Sequence, residues 1–479
     1  MTPALLRTRL LPWLAAALAG CAVQTYEPRA VDPAGFQAAW LASGVDDAAL
    51  RESLAQQGVD TGRWPLPAWD LEALTALAIA RHPDLAVARA ELQGAEAARG
   101  TARQRAGSAV EFGLEHHSAD GASSSPWSLG VVFDAVVTGQ SRRTAQADAA
   151  DALALEAGQL AAQTAWQVRQ RVRSGHRELF FAGRRAQASD TAWQLRRDIS
   201  AAQAARLAHG AADAREHLLA VDAEAEAARQ AAQARDALAR ARLALAAAVG
   251  LPVEQFDALT LRFDDLEREP PSAPAAALQR EALVNRLDVR AALARYAAAD
   301  ASLRAELAKQ WPEIVLKPGY AWDQGDNRWS LGLALSLPPG GRNQAPIEQA
   351  RAQRELEAAR CGALQVGAIA TLDAARQALD AADAQRRQAQ ARWAAAQRFA
   401  ERAQRRLQAG DADRVELLTA RLAEAESQRQ AVEAQAASWA ALGSLEDAVQ
   451  RPLDGTNLAP GGERRAQFAD PAHATPSLP

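Results

Sequence analysis

The sequence predicts a mainly α-helical chain with a small β part, in which one structural plan occurs twice. Long segments rich in alanine, leucine, arginine, glutamine and glutamate lack internal proline, as expected of uninterrupted helices. Four short segments instead alternate apolar residues with small or polar ones, which is the period of a β-strand. Three pairs of similar segments also recur in the same order, about 200 residues apart in the 479-residue chain.

The repeated segments define two halves of the chain. The pairs are RHPDLAVARAEL (81–92) with NRLDVRAALARY (285–296), WSLGVVFDAVVTGQSRR (127–143) with WSLGLALSLPPGGRNQ (329–344), and LAHGAADAREHLLA (207–220) with LQAGDADRVELLTA (407–420). Because all three pairs keep their order, we interpret them as an internal duplication. The first repeat then spans 70–250 and the second 277–450, with an equatorial linker at 251–276. The tail at 451–479 is rich in proline and glycine, and we expect it to be disordered.

Each repeat is expected to contain one long helical hairpin. The helices are predicted at about 145–209 and 213–249 in the first repeat, and at about 345–409 and 413–449 in the second. A helix of roughly 65 residues is about 100 Å long, so each must coil against neighbouring helices. Gly210 and Gly410 are the predicted hairpin-tip turns, and Asp213 and Asp413 the predicted N-caps of the returning helices.

The four strands are expected at about 110–117, 127–137, 313–322 and 329–337. Their length, their aromatic residues towards the ends and their small or polar second face are typical of a transmembrane β-barrel. The alternative is a half-buried antiparallel sheet packed on a helix. Four strands cannot close a barrel, and lipid does not tolerate open edges, so insertion requires oligomerisation. The predicted lipid-facing residues are Trp127, Leu129, Val131, Phe133, Ile314, Leu316, Tyr320, Trp322, Trp329, Leu331, Leu333 and Leu335.

The N-terminus predicts export. Two arginines precede an apolar run at 10–19, which is too short to span a bilayer and indicates a signal peptide at 1–20. The sequence LAGC that follows resembles a bacterial lipobox, which makes Cys21 the lipidated first residue of an anchored segment covering 21–69. The alternative is an ordinary signal peptide with an incidental cysteine. Because Ala22 and not an aspartate follows, lipoprotein sorting implies the cell outer membrane.

Composition and motifs argue against nucleic-acid binding and catalysis. The formal net charge is −4, the pI is about 6.1, and no basic block stands out. The sequence has no HExxH, Walker loop or nucleophile elbow, so we expect no enzymatic activity, no cofactor and no metal. His116 and His117 are adjacent, but their place at a strand end favours a solvated loop over a metal site. Cys361 is expected to be a packed, inert thiol.

The duplicated plan, the segment WSLGLALSLPPGGRNQAPIEQARAQRELEAA (329–359) and the paired glycine turns resemble the TolC-like outer-membrane efflux proteins, in particular their lipidated branch. The resemblance covers about 71–449. It implies a homotrimer in which twelve strands form one β-barrel and the long helices continue as an α-barrel through the periplasm. It also implies a passive exit duct for efflux or type I secretion, with a periplasmic adaptor protein and an inner-membrane pump as partners.

In this family the hairpin tips close the tunnel at its periplasmic end. The resemblance places the acidic gate position at Glu216 and Glu416, where threefold symmetry would gather carboxylates that favour cations. Arg215 and Arg414 are the candidate partners of these acids in the closed state. The alternative for each residue is an exposed charge near a helix end, which for the acids suits the helix dipole.

The chain departs from the family pattern at two places. Pro338 and Pro339 stand where an apolar–aromatic pair usually precedes the Gly-Gly, and Leu207 and Leu407 stand where an aromatic residue usually precedes the turn glycine. A second function is also open, namely a lipid-anchored coiled-coil scaffold of the envelope without transport activity. It would explain the helices and the lipobox, but not four alternating strands at matched positions of the two repeats.

Overall fold

The computed structural model describes residues 26–28, 30–104, 108–118, 125–136, 139–270, 285–336 and 343–453. The chain divides into two units, one ending at Gly44 and one beginning at Val45. In the first unit, helix α1 (Pro33–Leu41) begins after the N-cap Asp32, whose side chain accepts a hydrogen bond from the backbone N–H of Ala34. No residue of α1 is buried.

The described part of the second unit is mainly helical with four strands, as the predicted fold class requires. Its helices are α2 (Ala48–Gln56), α3 (Leu71–Arg81), α4 (Pro83–Ala102), α5 (Gln140–Ala208), α6 (Ala214–Val249), α7 (Val253–Asp257), α8 (Leu287–Ala308), α9 (Gln344–Ala409) and α10 (Arg414–Val449). Its strands are β1 (Ala109–His116), β2 (Trp127–Val136), β3 (Glu313–Asp323) and β4 (Asp326–Ser336). None of the described helices is both long enough and apolar enough to cross a membrane.

The two long helices dominate the second unit. Helices α5 and α9 contain 69 and 66 residues, so each is about 100 Å long at a rise of 1.5 Å per residue. Helix α5 packs against α6, and α9 against α10, which gives one antiparallel hairpin in each repeat. Helix α5 also packs against α10 and α8, so the two hairpins lie side by side.

The four strands form one antiparallel sheet in the order β1-β2-β3-β4. Strands β2 and β3 come from different repeats and pair at the centre of the sheet. Gln324 and Gly325, both with positive φ (51° and 111°), form the two-residue turn between β3 and β4. Strand β4 therefore begins at Asp326, earlier than predicted, because this turn carries no asparagine or aspartate to signal it. The predicted last residues of two strands, Val137 and Leu337, lie outside the described residues.

Helix α5 takes part in two separate apolar clusters. The first cluster joins α5 to α3, α6 and the segment that follows α6; its buried side chains include Leu74, Leu77, Val168, Val172, Leu245 and Phe256. The second cluster joins α5 to α9 and α10; its buried side chains include Phe181, Leu372, Leu379, Trp439, Leu442 and Leu445. Because one helix contributes to both clusters, α5 is the element through which the two repeats pack together.

A buried ion pair fixes α5 against α10. The guanidinium of Arg173 binds the carboxylate of Glu446, and both side chains are buried, Glu446 completely. Glu446 also accepts a hydrogen bond of 2.9 Å from the backbone N–H of Leu453. Nearby, the indole of Trp166 on α5 donates to the carboxylate of Asp447 on α10 at 2.8 Å. Burying charge is tolerated when each charged group has its partners, and this pair meets that condition.

His176 is buried one turn further along α5. Its Nε2 donates to the carbonyl oxygen of Arg262 at 2.9 Å, and its ring stacks on Phe263 with ring centroids 4.6 Å apart. Burial lowers the pKa of His176 below 6.5, and this effect exceeds the opposing effect of the Asp265 and Asp70 carboxylates. The imidazole is therefore neutral in the folded protein at neutral pH.

Removing one charge of the buried pair should be strongly destabilising. Glu446→Gln keeps the side-chain shape but removes the buried carboxylate that the Arg173 guanidinium binds, so we expect the free energy of unfolding to fall by about 3 to 5 kcal/mol. The measurement is denaturant unfolding followed by circular dichroism. As control, Glu226→Gln removes an exposed pair with Arg229 and should leave the free energy of unfolding almost unchanged, because solvent screens that pair. Equally small losses in both variants would refute a structural role for the buried pair.

The neutral state of His176 should also make stability depend on pH. Its pKa in the folded protein lies below 6.5, so as the pH falls through 6.5 the unfolded chain gains a proton that the folded protein does not. The free energy of unfolding should therefore decrease below pH 6.5. Burial likewise lowers the pKa of His82, the N-cap of α4, which acts in the same direction.

His176→Gln tests this directly, because the amide can still donate to the Arg262 carbonyl but does not titrate. Melting temperatures are measured at a series of pH values from 7.5 down to about 5.5, the range in which the effect of an imidazole appears. The variant should lose less stability than the natural protein over this range. Identical pH profiles for the two proteins would contradict the assignment.

Candidate functional site

The strand register gathers the apolar residues on one face of the sheet. Directly paired residues of an antiparallel sheet share a face, and Phe112, Val131, Tyr320 and Trp329 form one such row across all four strands. The same register places all twelve predicted lipid-facing residues on that face. It adds Val110, Phe112 and Leu114 from β1, which show the same alternation.

This apolar face is uncovered. The side chains of Trp329, Leu331 and Phe112 are 82%, 74% and 76% exposed. The other predicted residues divide into an exposed group, Trp127, Leu129, Phe133, Tyr320, Leu333 and Leu335, and a half-buried group, Val131, Ile314, Leu316 and Trp322. Soluble monomers rarely leave so many large apolar side chains together on one surface. The face therefore requires an apolar partner that the described residues of the chain do not supply.

The opposite face of the sheet is small and charged. A Cβ added at Gly319 would lie 2.5 Å from the hydroxyl of Ser330, so the side chain at position 330 occupies the space above Gly319. The ammonium of Lys317 binds Asp134 at 3.0 Å, and Arg328 binds Asp323 at 2.7 Å. These cross-strand ion pairs were not predicted from the sequence, which indicated only small and polar residues on this face.

Of the two histidines at the end of β1, His117 contacts the polar face, whereas His116 pairs with Trp127 on the apolar face. His117 hydrogen-bonds the hydroxyl of Ser128 at 3.0 Å, and that hydroxyl donates to Asp323. The ring of His116 packs edge-on against Trp127. Within the described residues no group of three or more histidine, cysteine, aspartate or glutamate side chains is placed to hold a metal ion.

The two hairpin tips are built alike. Gly210 and Gly410 have left-handed φ angles of 70° and 82°, which glycine adopts without strain. The side chain of Asp213 accepts from the N–H of Glu216 at 2.7 Å, and Asp413 accepts from the N–H of Glu416 at 2.8 Å. The residues predicted as tip turns therefore stand where one helix ends, and each acid lies in the first turn of the next helix.

Two arginines at matching positions of the repeats make the main contacts at the tips. Arg406 binds the carboxylate of Glu416 within its own hairpin and donates to the carbonyl of Asp411 at 2.9 Å. Arg206 likewise donates to a carbonyl of its own hairpin, that of Ala211 at 3.4 Å, but its carboxylate partner lies in the other hairpin, where it donates to Asp413 at 3.4 Å. Both arginines were missed in the sequence, although their equal spacing from the two turn glycines was a usable signal.

The predicted gate residues Arg215, Arg414 and Glu216 do not make the ion pairs expected of them. Arg215 and Arg414 are exposed, and the partner of Glu416 is Arg406 rather than either of them. Glu216 is exposed as well, and its matching arginine, Arg206, is engaged with Asp413. The duplicated tips thus have the same backbone but different ion pairs.

The tips also differ in their apolar residues. In the second hairpin Leu417 and Leu418 are buried, and Leu417 forms a small cluster with residues of α9. In the first hairpin Leu218 and Leu219 are 67% and 61% exposed, although Leu218 matches the buried Leu418. The first tip therefore presents an apolar surface that the second does not.

Some predicted features lie outside the described residues. These are the lipidation residue Cys21 and the unusual prolines Pro338 and Pro339. The junction between sheet and helix is described from Asn343, which has a left-handed φ of 62°. Its side-chain amide donates to the carbonyl and the carboxylate of Glu306, both at 3.0 Å, which ties the start of α9 to the end of α8.

Comparison with known proteins identifies the second repeat. Residues 278–449 match the family model for outer membrane efflux proteins. This part of the chain is similar to that family. The match ends at the last residue of α10 and covers α8, β3, β4 and the second hairpin. A search of curated proteins gives no match.

Several solved outer-membrane channels have the same fold as this chain. VceC from Vibrio cholerae is 20% identical, with a TM-score of 0.63 over 79% of this chain and 95% of VceC. CusC is 17% identical, with a TM-score of 0.65 over 82% of this chain and 95% of CusC. The MtrE channel from Neisseria gonorrhoeae is 17% identical, with a TM-score of 0.62 over 80% of this chain and 89% of MtrE. The likeness shows the fold, in which an α-barrel continues a β-barrel.

Proposed function

We propose that this protein is the outer-membrane exit duct of a multi-component efflux or type I secretion system, acting as a passive homotrimeric tunnel. The observation that carries the proposal is the uncovered apolar face of a sheet whose other face holds ion pairs. In the wall of a barrel, lipid would contact the apolar outer face and water in the lumen would solvate the charged inner face. The long helices follow directly from these strands and would extend the duct into the periplasm by about 100 Å.

Open strand edges support oligomerisation. β1 and β4 are the two end strands of the sheet, so each has one unpaired edge. Unpaired N–H and C=O groups are costly in lipid, and pairing β1 of one copy with β4 of the next removes them. Three copies give twelve strands, and a barrel wider than the eight-stranded kind has room for a water-filled lumen.

The strand length fits a bilayer. Strand β3 has 11 residues, and at a rise of 3.3 Å and a tilt of 35–45° it covers about 25 Å, the height of the apolar band of such barrels. Trp311, 79% exposed, precedes β3 at one end, and Trp322 lies near its other end. Tryptophan is enriched at membrane interfaces, so we assign Trp311 to the periplasmic interface and Trp322 to the outer one.

The hairpin tips are the proposed gate. Glu216 and Glu416 would line the periplasmic opening near the threefold axis, with Arg215 and Arg414 beside them. The bond between Arg206 and Asp413 joins the two hairpins of one chain at this level. We infer that this bond holds the hairpins together in the closed state, since opening requires the tips to separate.

The remaining parts of the proposal concern the localisation of the protein and its partners. After removal of 1–20, lipidation at Cys21 would anchor the segment 21–69 in the outer membrane. A periplasmic adaptor would meet the tips, and an inner-membrane pump would supply the energy. A scaffold without transport would also use the helices and the anchor, but it gives the apolar strand face nothing to contact.

Adjacent substitutions on β4 test the membrane sheet. Leu331→Arg places a charge on the apolar face near the strand centre, which costs about 2 to 4 kcal/mol in lipid. We expect it to abolish assembly in the outer membrane, measured by membrane fractionation and by light scattering of the purified trimer. Ser330→Arg, on the opposite face, should assemble normally because that side is hydrated. Normal assembly of both variants, or a monomeric natural protein, would refute the barrel.

Substitution of Arg206 tests the gate. Arg206→Ala removes the bond to Asp413 and should raise single-channel conductance or open probability severalfold in planar bilayers. Arg196→Ala is the matched control, because Arg196 also joins α5 to α10, through Glu426 at 3.1 Å, but lies farther from the tip. Unchanged conductance in Arg206→Ala, or an equal rise in the control, would count against a gate at this bond.

A further inference from the structure

The duplication places a tryptophan at the same position in both hairpins, Trp193 on α5 and Trp393 on α9. In the first hairpin the tryptophan is covered by a charged neighbour. The guanidinium of Arg235, on α6, lies over the Trp193 ring at 5.7 Å from its centroid. The same guanidinium binds the carboxylate of Asp190 at 2.5 Å. Asp190, Trp193 and Arg235 thus satisfy one another, through an ion pair and a cation–π contact.

The second hairpin lacks this arrangement. The residues that match Asp190 and Arg235 are Gln390 and Gln435, so neither the ion pair nor the cation over the ring is available. Trp393 instead lines a cavity of about 410 Å³ between α5, α9 and α10. Its indole N–H is buried and donates to no acceptor among the residues that the structure describes. A buried donor without a partner is costly, so a cavity at this point has a chemical consequence.

The cavity lining is neutral and rich in amides. Phe180 and Trp393 contribute aromatic rings, and amides come from Gln187, Gln390, Gln428 and Gln435. Among the described residues that line it, the charged ones are Arg184 and Glu267. These two pair with each other at 3.5 Å, and Arg184 also lies over the ring of Phe180 at 5.3 Å. No net charge is therefore directed at a ligand.

We propose that this cavity binds a neutral sugar residue. Sugar hydroxyls both donate and accept hydrogen bonds, as side-chain amides do, and an acceptor oxygen would satisfy the Trp393 indole. The C–H face of a sugar ring can pack on an aromatic ring. The cavity volume lies in the range of small-ligand sites, about 300 to 1,000 Å³.

Other ligand classes fit this lining less well. An ionic ligand would lose its hydration without gaining a counter-charge, because Arg184 and Glu267 already neutralise each other. A purely apolar ligand would leave the Trp393 indole without a hydrogen-bond acceptor, although Gln435 already donates to the carbonyl of Leu266 at 3.4 Å. The proposal does not depend on transport activity, since it concerns the side of the helical hairpins and not the sheet or the tips.

The test uses the purified full-length protein in detergent and two soluble probes, the trimer of N-acetylglucosamine and maltotriose. Binding is measured by isothermal titration calorimetry and by saturation-transfer NMR. We expect saturable binding of at least one probe. Trp393→Phe keeps an aromatic ring but removes the indole donor, and should weaken binding about threefold to tenfold, as expected for one hydrogen bond.

The decisive variant transfers the first hairpin's arrangement to the second. Gln390→Asp with Gln435→Arg should form the ion pair and the cation–π contact seen around Trp193 and close the cavity. It should reduce binding at least tenfold while the melting temperature is kept or raised. Trp193→Phe, at the closed matching position, should leave binding unchanged. No saturable binding by the natural protein, or equal binding by the double variant, would overturn the proposal.

A further experiment distinguishes two possible sources of the sugar, namely polymeric glycan and free saccharide. Purified cell-wall sacculi are sedimented with the natural protein and with the double variant. Cosedimentation that the double variant loses would support polymeric glycan as the ligand. Binding of the soluble probes without cosedimentation would support a free saccharide at the same site.

Discussion

The structure depends on one constraint, which is a sheet whose apolar face and strand edges the described residues of one chain leave without partners. Its apolar face is exposed, its two end strands have unpaired edges, and its second face holds the cross-strand pair of Lys317 and Asp134. Water suits the charged face and lipid the apolar one, but neither suits both. In the proposed duct, closure with further copies would pair the edges and separate the two environments. The length of the helices fits this proposal, since a duct that starts at a membrane must extend its wall away from the membrane.

Within one chain the two repeats are held together by α5. This helix contributes to both apolar clusters, and its Arg173 is paired with Glu446 on α10. The ion pair is specific in a way that alanine-rich packing is not, because small side chains allow neighbouring helices to slide. A charge that finds its partner at one register only selects that register. The same reasoning applies to the Trp166 indole and Asp447 on the same two helices.

The sequence was sufficient for features that depend on periodicity. Long helices, four strands and the glycine turns follow from residue patterns that repeat in both halves. The sequence did not predict the turn at Gln324 and Gly325, because its backbone angles are set by strand pairing and not by the usual turn residues. It did not predict the arginine contacts at the tips for another reason. Whether Arg206 turns to its own hairpin or to the next depends on how two helices pack, which no local pattern records.

Duplication makes these differences interpretable. Matched positions of the two repeats can be compared directly, so a difference in partner marks a place where the repeats differ. Arg206 and Arg406 differ in which hairpin supplies their carboxylate partner, and this falls where a gate is proposed. Trp193 and Trp393 diverge in whether a cation covers the ring, and this falls at a cavity. At the tryptophans the first hairpin serves as an internal reference for the second. A packing role alone would favour the satisfied arrangement in both hairpins, so the second hairpin, which lacks it, is the better candidate for a function.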